Sequence, residues 1–316
     1  MERIKFLKKN INFLIEEKGT VVVLMAIAMS VLAGFTALVT DMGFKYINQT
    51  KMVNALDSAV LAGVQELPAD PQLALEQAAD YANMNGLLAG EFTFEVNANN
   101  RSITGTANRQ IGLIFARALG LTTTQVSARS QARIAPISST GGVVPFGVIR
   151  DAYIYGQEVT LKEGAGDQIY SGWFGALRLG GNGAHVYRDN IKYGYPENIS
   201  IGDVIGTESG NMSGPTRAGI EYRLNECHHI PRCTFESYVE GCPRILIVPM
   251  VSIEEINDGS HPSSVRVVGF AAFLVNEYIG NGQESNVVGR FINYVIPGRS
   301  EENGSDFGLY GSQLCE

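Results

Sequence analysis

The chain has 316 residues, a net charge of −8 and 45% hydrophobic residues, which excludes a disordered chain because such chains are polar and highly charged. Only 18% of the residues are charged, and an isoelectric point near 5.2 argues against nucleic acid as a partner. At about 150 residues per domain, the length predicts roughly two domains.

A charge-free apolar segment lies close to the N-terminus. No charged residue occurs between Gly19 and Thr40, and about 20 apolar residues at 1.5 Å each match a hydrocarbon core of about 30 Å. A cleaved signal peptide has only about 7–15 apolar residues and a small-residue cleavage site, and this segment is longer and lacks such a site. We therefore expect an uncleaved single-pass transmembrane helix over residues 19–40.

The flanking charges predict the orientation of this helix. Residues 1–18 carry five basic side chains, and the positive-inside rule places such a segment in the cytoplasm. The remaining chain has 19 basic and 29 acidic residues, and we expect it to lie outside. The predicted location is the cell membrane, with a cytoplasmic N-terminus and extracytoplasmic C-terminal domains.

The helix is predicted to continue beyond the membrane. Residues 41–67 contain no proline, and apolar side chains recur at spacings of three and four, as in an amphipathic helix: Val53, Leu56, Val60, Val64 and Leu67. Together with the span they would form one rod of about 48 residues, or roughly 70 Å. The stripe is expected to cover the neighbouring globular domain; close packing with another helix is the alternative, because small residues interrupt it.

Two stretches of the sequence contain recognisable motifs. In the first, the span ends in an Asp-Met-Gly step at 41–43 and runs into NALDSAVLAG at 54–63; the second is FARALG at 115–120, followed by TQVSA at 124–128. In both, the chain resembles the TadG-like (TadE/TadG-type) proteins of Flp (Tad) pilus assembly. The resemblance covers about residues 17–135. It implies a pilus-assembly component that acts by protein–protein interaction, with the membrane and other pilus-assembly or pilin proteins as partners.

The sequence departs from the related processed pilins at one position. Those proteins carry a glycine at the cleavage point and a glutamate five residues later, whereas here Gly19 is followed at that distance by Leu24. The acidic group that helps pilin-type subunits enter a filament is missing. This favours a membrane-resident component or a minor pilin-like subunit over a major pilin, and it leaves cleavage after Gly19 open.

The pattern after the long helix predicts an α+β unit. Asp70-Pro71 indicates the start of a second helix that runs to about Asn85. Strands over 92–96 and near Ile103, a short helix over 111–119 and a strand over 122–134 are expected to follow. Residues 41–135 would thus form a pilus-assembly-like domain, and the Ser- and Gly-containing stretch 136–142 is the predicted linker.

Residues 143–316 are predicted to form a β-rich extracytoplasmic domain, either a barrel or a sandwich. Strands are expected over residues 143–149, 153–161, 173–179, 244–251, 265–275 and 287–296, with one helix from Pro215 to about Asn225. In the stretch 265–275, both the odd- and the even-numbered residues are apolar except for Arg266. Because these two sets point to opposite faces of a sheet, the pattern predicts a central strand buried on both faces. Glycine-containing runs at 172–177, 180–184 and 209–216 are expected to be turns.

One cluster has the residue types of a metal site. Thiolates and imidazoles bind zinc tetrahedrally, and five such residues fall within 16 positions: Cys227, His228, His229, Cys233 and Cys242. However, no Cys-x₂-Cys pair is present, and the spacing matches no common zinc pattern. Outside the membrane, disulfides among these cysteines and Cys315 are the competing and favoured interpretation. No cofactor is therefore predicted.

The chain is predicted not to be an enzyme. It contains no Gly-x-Ser-x-Gly elbow, no P-loop and no His-Glu-x-x-His motif. A Ser/His/Asp triad that uses His185, His261 or the histidine pair is the alternative, and it would make the C-terminal domain a membrane-anchored hydrolase. A binding or adhesin-like module is a third interpretation. No catalytic residue is predicted.

Overall fold

The computed structural model describes residues 17–163, 173–208, 212–257, 261–280 and 285–315. The predicted cytoplasmic N-terminus, residues 1–18, lies almost entirely outside this part of the chain, as do parts of the glycine-containing runs at 172–177 and 209–216. The described residues form an α+β fold, as predicted, with a long N-terminal helix and two seven-stranded sheets.

The first helix, α1, spans Glu17–Gly63 in 47 residues. No proline interrupts it, so the backbone hydrogen bonds continue from the apolar span into the amphipathic part. Within the span, the hydroxyl groups of Ser30, Thr36 and Thr40 donate to carbonyl oxygens four residues earlier, which satisfies them inside the helix. Among the described residues, this is the one helix long and apolar enough to cross a membrane, and the prediction of a single rod is confirmed.

The two halves of α1 have different surroundings. The large apolar side chains of residues 21–40 are between 51% and 69% exposed, which suits a lipid environment. From Met52 onward, one face is buried under the rest of the protein, with Leu56, Val60 and Val64 at its centre. The predicted apolar stripe therefore covers the neighbouring globular part.

Three further helices and fourteen strands follow in the described chain. Helix α2 spans Pro71–Met84 and begins where predicted, because the Asp70 side chain accepts hydrogen bonds from the backbone N–H groups of Gln72 and Leu73. The other helices are α3 (Ala184–Tyr193) and α4 (Ser213–Glu226). The strands are β1 (Phe92–Val96), β2 (Ser102–Gly112), β3 (Thr123–Thr140), β4 (Phe146–Ile149), β5 (Glu158–Glu163), β6 (Trp173–Ala176), β7 (Ile199–Ser200), β8 (Val204–Gly206), β9 (Ile245–Asn257), β10 (His261–Gly280), β11 (Ser285–Ile292), β12 (Tyr294–Val295), β13 (Arg299–Ser300) and β14 (Leu309–Cys315).

The first sheet packs on the buried face of α1. Its main order is β1-β2-β3-β14-β12, and β7 and β13 also pair with β3. The long hairpin β2–β3 pairs from Ser102 opposite Arg133 to Gly112 opposite Thr123. Its inward side chains, including Ile103, Ala107 and Val126, meet the stripe of α1 in two apolar clusters.

The second sheet curls on itself. Its order is β11-β5-β6-β4-β9-β10-β8, and an additional pairing of β10 with β11 joins the two ends of the six-stranded path, as in a barrel. Strand β10 is central: Ala271, Phe273 and Val275 belong to one apolar cluster, whereas Phe270 and Leu274 belong to the other. The prediction that both of its faces are buried is confirmed.

Several local predictions differ from the structure. The stretch 111–119, expected as a helix, is the end of β2 followed by a single 3₁₀ turn, Ala116–Leu119. Residues 136–140, within the expected linker, continue strand β3 and pair with β14, β13 and β7. Helix α3 was missed because glycines flank its ten residues, although Tyr187, Asn190 and Ile191 form a buried face at helical spacing.

Candidate functional site

The membrane-side end of the molecule is held together by one carboxylate. Asp41 follows directly after the charge-free segment and is 6% exposed. Its two carboxylate oxygens accept hydrogen bonds from the backbone N–H groups of Ile114, Phe115 and Ala116, at 2.7–3.2 Å. These groups begin the 3₁₀ turn at the tip of the β2–β3 hairpin, and a carboxylate is well suited to the free N–H groups of such a turn.

The electrostatics of Asp41 follow from these contacts. Burial would raise the pKa of its carboxyl, but the hydrogen bonds from the backbone N–H groups outweigh burial and lower that pKa below the ordinary value. The ionised form is therefore the one that joins helix and hairpin. This contact connects the two stretches that carry the family resemblance, the Asp-Met-Gly step and the segment FARALG.

The hairpin tip, residues 113–122, presents apolar side chains to the outside. Ile114 is 55% exposed, Phe115 47% and Leu121 60%. Arg117 is exposed on the same tip. On α1, just beyond Asp41, the aromatic side chains of Phe44 and Tyr46 are exposed as well. The membrane-side end of the protein is thus surrounded by apolar and aromatic groups.

The five candidate metal ligands of residues 227–242 lie in the loop between α4 and β9. One ligand atom from each of Cys227, His229, Cys233 and Cys242 lies within 4.8 Å of the others. The Cys227 Sγ is 3.5 Å from the Cys242 Sγ and 3.7 Å from the His229 Nδ1, which is itself 3.3 Å from the Cys233 Sγ. The four cysteines of the chain are free thiols. We name this group the Cys₃His cluster.

Hydrogen bonds from outside the cluster hold its loop in position. Residues 227–244 contain neither helix nor strand. The buried Arg244 donates from Nη1 to the carbonyl oxygen of Cys233 at 2.7 Å and from Nε to that of Val275 at 2.8 Å. The Val239 N–H donates to the Cys233 Sγ at 3.5 Å, and the Tyr238 hydroxyl donates to the Asn293 carbonyl oxygen at 2.6 Å. The loop is thereby fixed on the outer face of the curled sheet.

The thiols of the cluster differ in acidity. Burial would raise the pKa of Cys227, but hydrogen bonds with His229 and Cys242 lower it. Burial raises the pKa of Cys242, with the neighbouring thiols adding to the effect. A thiolate at Cys227 that accepts from its neighbours is the arrangement these contacts favour, and thiolate is the form of cysteine that binds metal ions.

The other residues singled out in the sequence are not part of this group. His228 does not belong to the cluster and is exposed, as is His185 at the start of α3. The side chain of His261 lies outside the described residues. Cys315 is in β14, opposite Gln131. The structure therefore brings together four of the five predicted metal candidates. Among the described residues, it does not bring together the histidines that the alternative Ser/His/Asp triad would use.

Comparison with known proteins gives one finding. Residues 19–66 match a family model described as "Putative Flp pilus-assembly TadE/G-like", which is α1 from the start of the span to the turn after its end. The resemblance seen in the sequence is confirmed over these residues, and the matched family is not an enzyme family. No curated protein and no solved structure matches the chain. The match indicates involvement in Flp/Tad pilus assembly, with an N-terminal helix of the membrane-anchor type.

Proposed function

We propose that the protein is a single-span, membrane-anchored component of Flp/Tad-type pilus assembly that acts by binding other proteins. The observation that carries this proposal is the family match on a continuous helix with two different halves. From Met52 onward, one face of the helix is buried in the protein's own core, whereas the half before Asp41 is exposed around its circumference. An exposed apolar helix is available to lipid and to the helices of partner proteins.

In this proposal the N-terminus is cytoplasmic and both globular parts, residues 41–135 and 143–316, lie outside the membrane. The basic side chains before the span support this orientation. The rigid connection at Asp41 would transmit the position of α1 to the β2–β3 hairpin. The second, curled sheet would then present its surface to pilus proteins or to the cell envelope.

Two roles within assembly are compatible with the span: a resident assembly component and a minor pilin-like subunit. Leu24 stands where pilin-type subunits have glutamate, which supports the resident component. The mass of the mature N-terminus distinguishes the two roles. We expect an N-terminus that retains residues 1–19, and a chain beginning at Thr20 would contradict the resident role.

Site-specific photocrosslinking in intact cells tests the binding function. A photoreactive amino acid would replace Met29 or Leu32 in the span, Tyr46 beyond it, or the buried Leu56 as the matched control on the same helix. We expect pilins or other pilus-assembly proteins to be captured from the exposed positions and not from Leu56. Captured proteins without any pilus or secretion component would contradict the proposal.

A further inference from the structure

The Cys₃His cluster has the composition and the dimensions of a closed metal site. With bonds of about 2.3 Å to sulfur and about 2.0 Å to nitrogen, the ligands of a tetrahedral zinc ion lie about 3.5–3.8 Å apart. Three separations between ligand atoms in the cluster are 3.3, 3.5 and 3.7 Å, and all four atoms lie within 4.8 Å of one another. We propose that Cys227, His229, Cys233 and Cys242 bind one structural Zn²⁺ ion.

The donor set specifies the kind of ion. Three thiolates and one imidazole favour zinc over magnesium or calcium, which prefer oxygen ligands. Four protein ligands complete the tetrahedral shell and leave no open position for a water molecule or a substrate. The site is therefore structural.

Surrounding groups support the ligands as they do in known zinc sites. The Val239 N–H donates to the Cys233 sulfur, and the Arg244 guanidinium donates to the carbonyl oxygen of the same residue. Three thiolates around Zn²⁺ leave one excess negative charge, and the cationic Arg244 is buried beside them. Such outer contacts orient the ligands and are part of a metal site.

A disulfide explains fewer of these positions. It would join two of the three sulfurs. It would not explain why the third thiol and the His229 ring nitrogen lie beside them. The sulfurs of Cys227 and Cys242 are 3.5 Å apart, and the three thiols are free. A shared ion accounts for all four side chains.

The zinc ion would have a definite task in the fold. Residues 227–244 form a long segment without helix or strand, and Cys233 and Cys242 are buried in the apolar cluster on the outer face of the curled sheet. Loops of this length seldom keep one conformation without an additional constraint. Bound zinc would hold both ends of the loop against α4 and β9.

Zinc and thiol analysis of the purified full chain tests the proposal. The protein would be extracted from membranes in detergent, with an affinity tag that contains no histidine, and its zinc content and free thiols would be measured. We expect about one zinc ion per chain. Protein that contains no zinc and has lost two free thiols to a disulfide would overturn the proposal.

Variants separate the cluster from adventitious binding. His229→Ala and Cys233→Ser are expected to lose most of the zinc, whereas the neighbouring His228→Ala and the remote Cys315→Ser should retain it. Because a loss of metal can also follow from misfolding, His229→Cys provides a rescue: it keeps four ligands and should restore the zinc. Replacement by Co²⁺ should produce thiolate-to-cobalt absorption in the wild type. Zinc that is lost equally from the His228 and Cys315 variants would count against the site.

A second, independent observation concerns the hairpin tip. Asp41 immediately follows the charge-free segment, so it marks the end of the span, and its hydrogen bonds hold the tip at the same level. Ile114, Phe115 and Leu121 are exposed there beside Arg117. We propose that the hairpin tip inserts these apolar side chains into the surface of the bilayer. This inference rests on the proposed membrane anchoring.

The chemistry of the tip fits the lipid interface. Apolar and aromatic side chains enter the boundary between headgroups and acyl chains, and an arginine beside them can bind a lipid phosphate group. Phe44 and Tyr46, which are exposed on α1 just beyond Asp41, are residue types enriched at this boundary. The protein would thus touch the membrane at two points, which restricts its tilt.

Quenching by brominated lipids in a reconstituted bilayer measures this contact. The native tryptophan would be removed with Trp173→Phe, and single tryptophans would be introduced by Val31→Trp in the span, Leu121→Trp on the tip and Ile230→Trp as a distant control. Ile230 is an exposed residue in the loop of the Cys₃His cluster. Glu240 of the same loop raises the pKa of Glu66, which follows the end of α1 remote from the span.

We expect the tryptophans at positions 31 and 121 to lose most of their fluorescence and the one at 230 to be unaffected. Quenching at 31 without quenching at 121 would refute the tip contact and leave the anchor intact. Absence of quenching at 31 would refute the anchor itself, and with it the proposed function.

Discussion

At the scale of single residues, Asp41 has the most consequences for the fold. Its side chain accepts four hydrogen bonds from three consecutive backbone N–H groups. These hydrogen bonds connect a helix to a hairpin more than 70 positions away in the chain. Arg266 is a second example. It interrupts the apolar run of β10, but its guanidinium forms an ion pair with Glu254 at 2.6 Å at a half-exposed position. Both charges are tolerated because each has partners of opposite polarity.

Replacement of Asp41 tests the connection between helix and hairpin. Asp41→Asn removes the charge and one of the two accepting oxygens, so we expect a lower midpoint of thermal unfolding for the detergent-solubilised protein. Asp57→Asn, on the same helix but away from the hairpin tip, is the control and should change the midpoint little. An equal effect of both substitutions would contradict the role given to Asp41.

The same carboxylate predicts a pH dependence. Its pKa is lower in the folded protein than in the unfolded chain, so its contribution to stability is present above the unfolded pKa of about 3.9 and is lost as the pH falls through the folded value. Between neutral pH and about pH 3, the wild type should therefore lose more stability than Asp41→Asn. Parallel pH profiles of the two unfolding midpoints would show that the charge is unimportant.

At the scale of elements, the contact of α1 with α2 depends on a close approach of their backbones. A Cβ atom at Gly63, the last residue of α1, would lie 2.5 Å from the Ala74 carbonyl oxygen and 3.0 Å from the Ala78 Cβ. Small residues allow such contacts, and a larger one forces the helices apart. The Ala-Gly ending of the family-like segment therefore serves this protein's own core.

Gly63→Ala should lower the free energy of unfolding by about 1–3 kcal/mol, because the added methyl group overpacks this contact. Gly43→Ala on the same helix is the matched control, since the added Cβ meets no atom beyond the helix's own nearby backbone within 4 Å. That change should be neutral or stabilising by up to about 1 kcal/mol, because alanine favours a helix over glycine. Chemical denaturation of both variants gives the comparison, and a tolerated Gly63→Ala would show that the helices can separate freely.

At the scale of the whole molecule, the C-terminal strand joins the two parts of the chain. Strand β14 pairs with β3 from Tyr310 opposite Pro136 to Cys315 opposite Gln131. Tyr310 lies in the apolar cluster of α1, beside Val60 and Ala132, while Leu309 belongs to a cluster of the second sheet. The division at residues 136–142 stays a prediction, and any boundary there must pass through β3.

Truncation of the C-terminus measures this connection. Removal of residues 309–316 exposes the edge of β3 and deletes the buried Leu309 and Tyr310, each with a burial energy of about 1.5–3 kcal/mol. We expect a midpoint of thermal unfolding lower by on the order of 10 °C. Removal of residues 314–316 alone should have a small effect, because Leu314 is 43% exposed. A truncated chain as stable as the wild type would mean that the two parts fold independently.

The elements that follow from local patterns were predicted well. The absence of charge and proline predicted α1, Asp70-Pro71 predicted the start of α2, and the double apolar alternation predicted the buried β10. Local signals were weaker where short elements follow one another. Residues 111–119 have apolar spacing that suits either a helix or a strand. Pairing of Ile111 with Thr124 across the hairpin makes residues 111–112 the end of β2, and a single 3₁₀ turn follows over Ala116–Leu119.

For the candidate metal site, too, the sequence predicted one part and the tertiary structure decided the rest. The sequence supplied the residue types, but the lack of a Cys-x₂-Cys pair among Cys227, Cys233 and Cys242 favoured disulfides over a metal, because linear distance does not define which side chains converge. Only the fold of residues 227–244 brings three sulfurs and the His229 ring together and leaves His228 exposed.

By itself, the sequence determined the membrane-length helix, its amphipathic continuation, the α+β composition and the resemblance to pilus-assembly proteins, since each depends on neighbouring residues in one element. The tertiary structure decided the partners of Asp41, the pairing of β14 with β3, the closing of the second sheet by β10 and β11, and the Cys₃His cluster. The physical reason is the range of the interactions. Helix periodicity and capping act over a few residues, whereas these contacts join groups that the chain brings together only when its apolar faces pack.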